Sequence, residues 1–338
     1  MFWDNEEVAG ASSVATLPDD PFDEFLKPPP GETHEQRITR LTREEEASKI
    51  SMAIDASIKA ERQLRKKMRI VRLLLLGQSE SGKSVTLRQF QRLYTPTAFR
   101  EERILWRGVI QLNIVRRKIR LEEYPGFFLN DLERVTSLKY IPTDDDVLKA
   151  RLKTVGVSEY RFQMEVSTGR ETGTDWRIVD VGGSRSQRQT WIPFFDNVDA
   201  IIFLAPISGF DQVLSEDRTV NRLEDSVLLW KTVCSNKLLA NVDLVLFLNK
   251  CDILETKLKA GVRLAKYVKS FGDRANNLET VSKYFRSKFS AIHREYSPNP
   301  RKFYAFCTSV TDTATTAGII ASVRDMVIRQ HLKQSKLM

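Results

Sequence analysis

Residues 73–90, LLLLGQSESGKSVTLRQF, decide how the rest of the chain is read. The run of leucines is short and wholly apolar, as in a strand buried on both faces. A glycine-bounded loop follows, Gly77-Gln-Ser-Glu-Ser-Gly82-Lys83-Ser84, and then a stretch with helical spacing. This is G-x-x-x-x-G-K-[ST] in the setting it requires, after a strand and before a helix. In such a loop backbone N–H groups converge on phosphate oxygens and the helix N-terminus adds positive potential. Lys83 then neutralises β/γ charge, and the Ser84 hydroxyl is offered to Mg2+. Loops of this type serve ATP and GTP alike, so the base has to be read elsewhere.

Asn249-Lys250-Cys251-Asp252 lies at the C-terminal end of an apolar run, where ligands of parallel sheets sit. A carboxylate at Asp252 accepts from guanine N1–H and N2–H2 together, a pairing adenine does not offer; Asn249 ties the loop and the Lys250 stem covers the ring. Asp180-Val-Gly182-Gly183 closes another run, WRIVDVGG. There a carboxylate reaches Mg2+ through water, and a glycine amide, that of Gly183, meets the γ-phosphate and senses its presence.

The β-like runs RIVRLLLLG, YRFQMEV, WRIVDVGG, DAIIFLAPI, VDLVLFLNK and KFYAFCTS alternate with helical patterns. Such alternation argues for an α/β sheet with helices on both faces. Between Phe90 and Thr143 the pattern is helical only, over 98–118 and 124–138, so a helical insertion interrupts the α/β domain. Residues 1–33 are acidic, end in Pro28-Pro29-Pro30-Gly31 and read as disordered. From 34 to 68 neither Pro nor Gly occurs, and Ala47, Ile50, Ile54, Ile58 and Leu64 recur at helical spacing among many charges. That narrow apolar stripe suits docking to a partner.

The 338 residues, 41% hydrophobic, are enough for a sizeable core. The net charge is +9, but no interleaving of aromatic and basic residues suggests a nucleic-acid module. No apolar run is long enough to span a membrane and no signal peptide is visible. Cys234, Cys251 and Cys307 lack metal-ligand spacing and read as structural thiols of a reducing compartment.

With these motifs in this order, the chain resembles the alpha subunits of heterotrimeric G proteins from about residue 34 to its end. The stretches that carry the resemblance are LLLLGQSESGKS, YIPTDDDVLKARLKTVG, DVGGSRSQRQTWIPFF, LFLNKCD and TSVTDT. The resemblance implies a P-loop GTPase (Ras-like) α/β domain with an all-helical insertion and a long N-terminal helix. It divides the chain into an acidic segment (1–33), a partner-binding helix (34–68), a first GTPase part (69–94), the insertion (95–146) and a second GTPase part (147–338). GTP or GDP would be held, with Mg2+, by Ser79, Glu80, Ser81, Gly82, Lys83, Ser84 and Val85. Leu148, Lys149, Arg151, Thr154, Asp180, Gly183, Asn249, Lys250, Asp252 and Val310 would complete the nucleotide site. Arg151 would stabilise the transferring phosphoryl group, Ser84 and Thr154 would be the metal's side-chain ligands, residues 182–192 would form switch II, and the Val310 amide would meet guanine O6. The helix at 34–68 would contact a beta-gamma dimer. The last helix, about 315–333, would face a seven-helix receptor at the inner face of the plasma membrane.

The chain departs from that pattern in four places. Ser79 occupies a loop glycine, and Ser184 stands where the family carries the glutamine that orients the attacking water. The N-terminal lipidation sites are missing, since residue 2 is Phe and no cysteine precedes Cys234, so membrane contact would pass through partners. The insertion is about half the family's usual length, the join falling near Lys118–Tyr124. Slow GTP hydrolysis is the expectation; the alternative is an interaction protein that binds nucleotide without cleaving it.

Overall fold

The computed structural model describes residues 31–67, 70–116, 131–150, 154–163, 165, 175–196, 198–309 and 313–336. The chain divides into two units, residues 1–64 and 65–338. The first contains most of helix α1 (His34–Lys67). Its start is fixed by a reciprocal cap: Gln36 N–H donates to Thr33 Oγ1 at 3.3 Å and Thr33 N–H to Gln36 Oε1 at 3.0 Å. Ile50, Ile54 and Ile58 lie exposed along it.

The second unit is a six-stranded sheet in the order β2-β3-β1-β4-β5-β6. The strands are β1 (Ile70–Leu76), β2 (Val157–Gln163), β3 (Asp175–Val181), β4 (Ala200–Pro206), β5 (Asp243–Asn249) and β6 (Phe303–Thr308). All six apolar runs read from the sequence are strands. All neighbours pair in parallel except β2, which runs antiparallel to β3 and forms one edge. Every residue of β4 and β5 is buried, which is why these central strands read as unbroken apolar runs while the edge strand β2 does not.

In chain order the remaining helices are α2 (Lys83–Tyr94), α3 (Pro96–Glu102), α4 (Trp106–Arg116), α5 (Leu132–Thr136), α6 (Asp144–Lys149), α7 (Arg222–Ser235), α8 (Cys251–Lys259), α9 (Leu278–Tyr296) and α10 (Thr313–Lys336). Leu87 and Phe90 of α2 and Ile320, Val323 and Val327 of α10 cover one face of the sheet. Leu229, Trp230, Leu254, Phe285 and Phe289 of α7, α8 and α9 cover the other. The parallel strands therefore end together at one carboxyl edge, where the chain's polar motifs emerge.

The insertion has its own small core of Ile110, Val135, Tyr140 and Ala150, with Trp106 and Ile114 against it. Over 98–116 the chain is helical as expected, with a single 3-10 turn at Arg103–Leu105 between α3 and α4, and 117 and 118 lie outside the described residues. One expectation needs correction here. The helix expected over 124–138 is confined, among the described residues, to Leu132–Thr136, because Ser137 leaves it in an extended conformation. Leu105 and Leu138 are 74% and 90% exposed, apolar surface that this small core does not cover.

Candidate functional site

The loop between β1 and α2 has the geometry of an anion cradle. Gly77, Gly82 and Glu80 take positive φ values of 144°, 107° and 59°, and α2 begins at Lys83 with neither a side-chain cap nor an acidic residue in its first turn. Its first N–H groups and the positive end of its dipole are thus left for an anion. Ser79 has no positive φ, so the backbone accepts a serine there without strain, and the left-handed position is filled by Glu80 instead. Lys83 is buried, and its Nζ donates to the carbonyls of Gly77 and Gln78, both at 2.9 Å. Burial pulls its ammonium down to about 8, with Asp180 acting in the opposite sense.

Three oxygens converge beside this loop from three parts of the chain. Ser84 Oγ donates to Asp180 Oδ2 at 2.5 Å and shares a hydrogen bond with Thr154 Oγ1 at 2.7 Å, while Thr154 Oγ1 reaches the same carboxylate oxygen at 3.3 Å. Asp180 Oδ1 is buried without a hydrogen-bond partner, and burial raises the carboxyl's pKa above its usual range despite the opposing pull of Lys83. An all-oxygen set with an orphaned carboxylate oxygen suits a hard divalent cation such as Mg2+.

The segment expected to form switch II leaves β3 against the loop between β1 and α2. A Cβ at Gly183 would meet Gln78 C at 2.4 Å and Ser79 N at 2.5 Å, so only glycine lets the two backbones touch. The segment is anchored by Trp191, whose Nε1 donates to Gly182 O at 2.9 Å, and by Arg188, whose two Nη atoms donate to Asp225 at 3.0 and 2.5 Å. Ser184 is buried, and its hydroxyl donates to Gln187 Oε1 at 2.8 Å.

At the other end of the carboxyl edge, Asn249 and Thr308 are register partners on β5 and β6. Asn249 Nδ2 donates to Ser81 O of the phosphate loop at 2.7 Å, and Thr308 Oγ1 donates to Asn249 Oδ1 at 3.1 Å. Lys250 takes a left-handed conformation (φ 65°) that starts α8, and Asp252 is exposed in its first turn. Leu148 is buried and Lys149 exposed at the end of α6. Val85 lies partly buried in the first turn of α2. Arg151 and Val310 lie outside the described residues.

Several contacts carry no recognisable sequence signature. Arg222, at the start of α7, donates to Ser79 O at 3.2 Å and to Glu80 Oε2 at 3.4 Å, and its carbonyl accepts from Gln78 Nε2 at 2.9 Å. The same helical turn holds Asp225, the partner of Arg188, so one turn of α7 grips both the phosphate loop and switch II. Neither pair obeys a local spacing, and only the basic and acidic residue types could have hinted at it.

Residues 115–327 match the family model of the G-protein alpha subunit. The chain belongs to the G protein alpha subunit family. It is 31% identical to the guanine nucleotide-binding protein alpha-2 subunit of Neurospora crassa, an alignment covering 86% of this chain and 96% of that protein. Against the alpha-7 subunit of Caenorhabditis elegans the identity is 29%, over 87% of this chain and 97% of the relative. A higher identity, 42%, links it to the alpha-4 subunit of Mycosarcoma maydis over 63% of this chain, which spans only 37% of that longer relative. Membership places this alpha subunit among guanine-nucleotide-binding signalling proteins with a P-loop GTPase fold. Among its described residues no helix is long and apolar enough to cross a membrane.

Proposed function

We propose that this alpha subunit is a guanine-nucleotide-dependent switch that binds GTP and GDP with Mg2+, hydrolyses GTP slowly, and couples seven-helix receptors to effectors at the inner face of the plasma membrane. The observation that carries the reading is the meeting of Ser84, Thr154 and Asp180 beside Lys83, within 3.3 Å of one another. These residue types, brought together from a helix, a loop and a strand end, match what phosphate and Mg2+ require. In the proposed mechanism the loop amides and Lys83 would seat the β- and γ-phosphates, Ser84 and Thr154 would hold the metal, and Asp180 would reach it through water. Bound Mg2+ supplies charge neutralisation on the phosphate oxygens. Asp252 reads guanine, with Asn249 fastening its loop to Ser81. The Gly183 amide senses the γ-phosphate, and Arg151 offsets charge that develops on it.

Slow cleavage follows from Ser184. An attacking water needs a side chain that accepts from it and donates to a γ-oxygen, and a serine hydroxyl is too short to do both. The hydroxyl of Ser184 is moreover already given to Gln187. Ser79 adds bulk where loop backbone must approach the phosphate. That bonded Ser184 also favours a second reading, a nucleotide-binding interaction protein without hydrolysis. The insertion is read as shortened, to about half the family's usual length. A lid reduced in this way would quicken nucleotide release. The exposed isoleucines of α1 would dock a beta-gamma dimer, α10 would face the receptor, and membrane contact would come through these partners.

The experiment is to release and identify the nucleotide that remains on the purified protein, then to compare affinities for GTP and ATP. GDP or GTP on the protein and a strong preference for guanine support the reading; equal affinity for ATP would refute it.

A further inference from the structure

The cysteines do not share one environment. Cys234 is sealed in the core, where burial pushes its thiol up to about 12. Cys307 is exposed on β6, and Cys251 is the buried first residue of α8, immediately before Asp252. Cys307 is the register partner of Leu248, and the Cys251 thiol donates to the carbonyl of that same Leu248 at 3.1 Å. The N–H of Thr308, one residue past Cys307, is directed to the Cys251 sulfur, and the two thiols lie within hydrogen-bond reach of each other. A buried sulfur and an exposed one thus meet where β5, β6 and α8 come together.

Helix α9 completes the surroundings. Ser282 is 8% exposed, and its buried hydroxyl has no hydrogen-bond partner besides the Cys307 sulfur. Arg286 follows one turn along the same face and lends its positive charge. Hydrogen bonding from Cys251 draws the Cys307 thiol down to about 6 against the opposing effect of burial, and Ser282 and Arg286 add to the fall. Cys251 is shifted the other way, by the same bond and then by burial, and keeps its proton. Exposure, thiolate character and a nearby cation open a cysteine to oxidation, and a second thiol in reach carries the product on to a disulfide.

We propose that Cys307 and Cys251 are a redox-modified site, at which a peroxide oxidises Cys307 and the resulting disulfide to Cys251 ties the start of α8 to β6 and weakens guanine binding. The Cys307 thiolate attacks one peroxide oxygen, the O–O bond breaks, and the departing hydroxide takes a proton from solvent to leave as water. The Cys251 sulfur then attacks the sulfenic sulfur of Cys307. The S–S bond forms, the S–O bond breaks, and the hydroxyl leaves with the Cys251 proton as a second water. The two thiols together lose the two electrons that the peroxide gains, and a dithiol reductant reverses the change by exchange. The bridge draws Cys251 away from Leu248 O at the residue next to Asp252, so its effect falls on recognition of the base. That effect rests on the role proposed above for Asp252.

The test uses the full chain, native and as Cys307→Ala and Cys251→Ala, treated with hydrogen peroxide and then with dithiothreitol. Peptide mapping by mass spectrometry reads the linkage, and binding of a fluorescent GDP reads the affinity. In the native chain a peptide pair joining Cys251 to Cys307 should appear, GDP affinity should fall about fivefold or more, and dithiothreitol should restore both. Cys307→Ala should bind GDP as the reduced native chain does and should not respond to peroxide. In Cys251→Ala the oxidised Cys307 should remain a sulfenic acid, captured by dimedone. Absence of the linked peptide in a native chain that binds GDP overturns the proposal while leaving the switch reading standing. Linkage with unchanged affinity also overturns it, as does an equal loss of affinity in Cys307→Ala, which would place the damage elsewhere. A reduced native chain that binds no guanine nucleotide refutes the switch reading, and the affinity effect with it.

Discussion

The two ends of the nucleotide site are built from different material. At the proposed base end, Asn249 and Thr308 are the last residues of two register-paired strands, each residue 1% exposed, and their hydrogen bonds run through to Ser81 of the phosphate loop. At the γ-phosphate end, Ser79 and Ser184 belong to loops that touch through Gly183, and the Ser184 hydroxyl is taken up by Gln187. Substitution at the first end would break a sheet edge and its bonds. At the second, two serines are accommodated without positive φ, and the Ser184 hydroxyl is bonded to Gln187. On the proposed reading, the loop that carries Asp252 is fastened by bonds the sheet also uses, whereas cleavage would depend on side chains that the fold does not need. That difference is the physical basis for expecting tight binding with slow chemistry.

The largest expected effect lies in the phosphate loop, which the two ends flank. Lys83→Met should cost on the order of 10^2-fold or more in GTP affinity, because it removes the buried charge facing the phosphates, and equilibrium binding of a fluorescent guanine nucleotide measures this. At the base end alone, Asp252→Asn should lower GDP affinity about 10^2-fold and turn preference toward xanthine nucleotides, whose altered edge suits an amide. A loss of the same size for ATP and GTP would break the distinction between the ends.

Away from the site, Ile54→Asp on α1 should reduce capture of a beta-gamma dimer in the GDP state about tenfold, since a carboxylate buried at an interface is costly. Unchanged capture would remove α1 from the partner surface. The smallest effect belongs to the scaffold. His293 is stacked at 4.9 Å on Phe303, its Nε2 is buried without a partner, and burial followed by the nearby Arg301 pushes its pKa down to about 4. An unfolded chain takes up this proton near the ordinary value of 6.5, so stability is full above pH 6.5 and is lost as pH falls toward 4. Thermal melts of His293→Phe between those pH values should fall less steeply by a few degrees, with nucleotide affinity at pH 7.5 unchanged.

Most of the framework was legible because strands buried on both faces have to be apolar throughout. The runs that became β1, β4 and β5 could hardly be read otherwise, and the phosphate loop was marked by its two bounding glycines. The meeting of Ser84 and Asp180 followed from motifs at strand ends. The antiparallel direction of β2 was not legible, since its alternation is the same either way. The 3-10 turn at Arg103–Leu105 was hidden too, because the residues there are good helix formers. Arg222 and the Arg188–Asp225 pair escaped for a common reason. Each joins elements far apart in sequence, and a charged residue on a helix reads by default as a solvated one.

The most direct test is single-turnover hydrolysis of preloaded GTP by the native chain and by Ser79→Gly combined with Ser184→Gln. The expected result is tight GTP binding by both proteins and at least about a tenfold faster rate in the double variant, a barrier lower by ~1.4 kcal/mol. Normal GTP binding in both with no gain in rate would contradict the account, and would show that something other than these two serines limits cleavage.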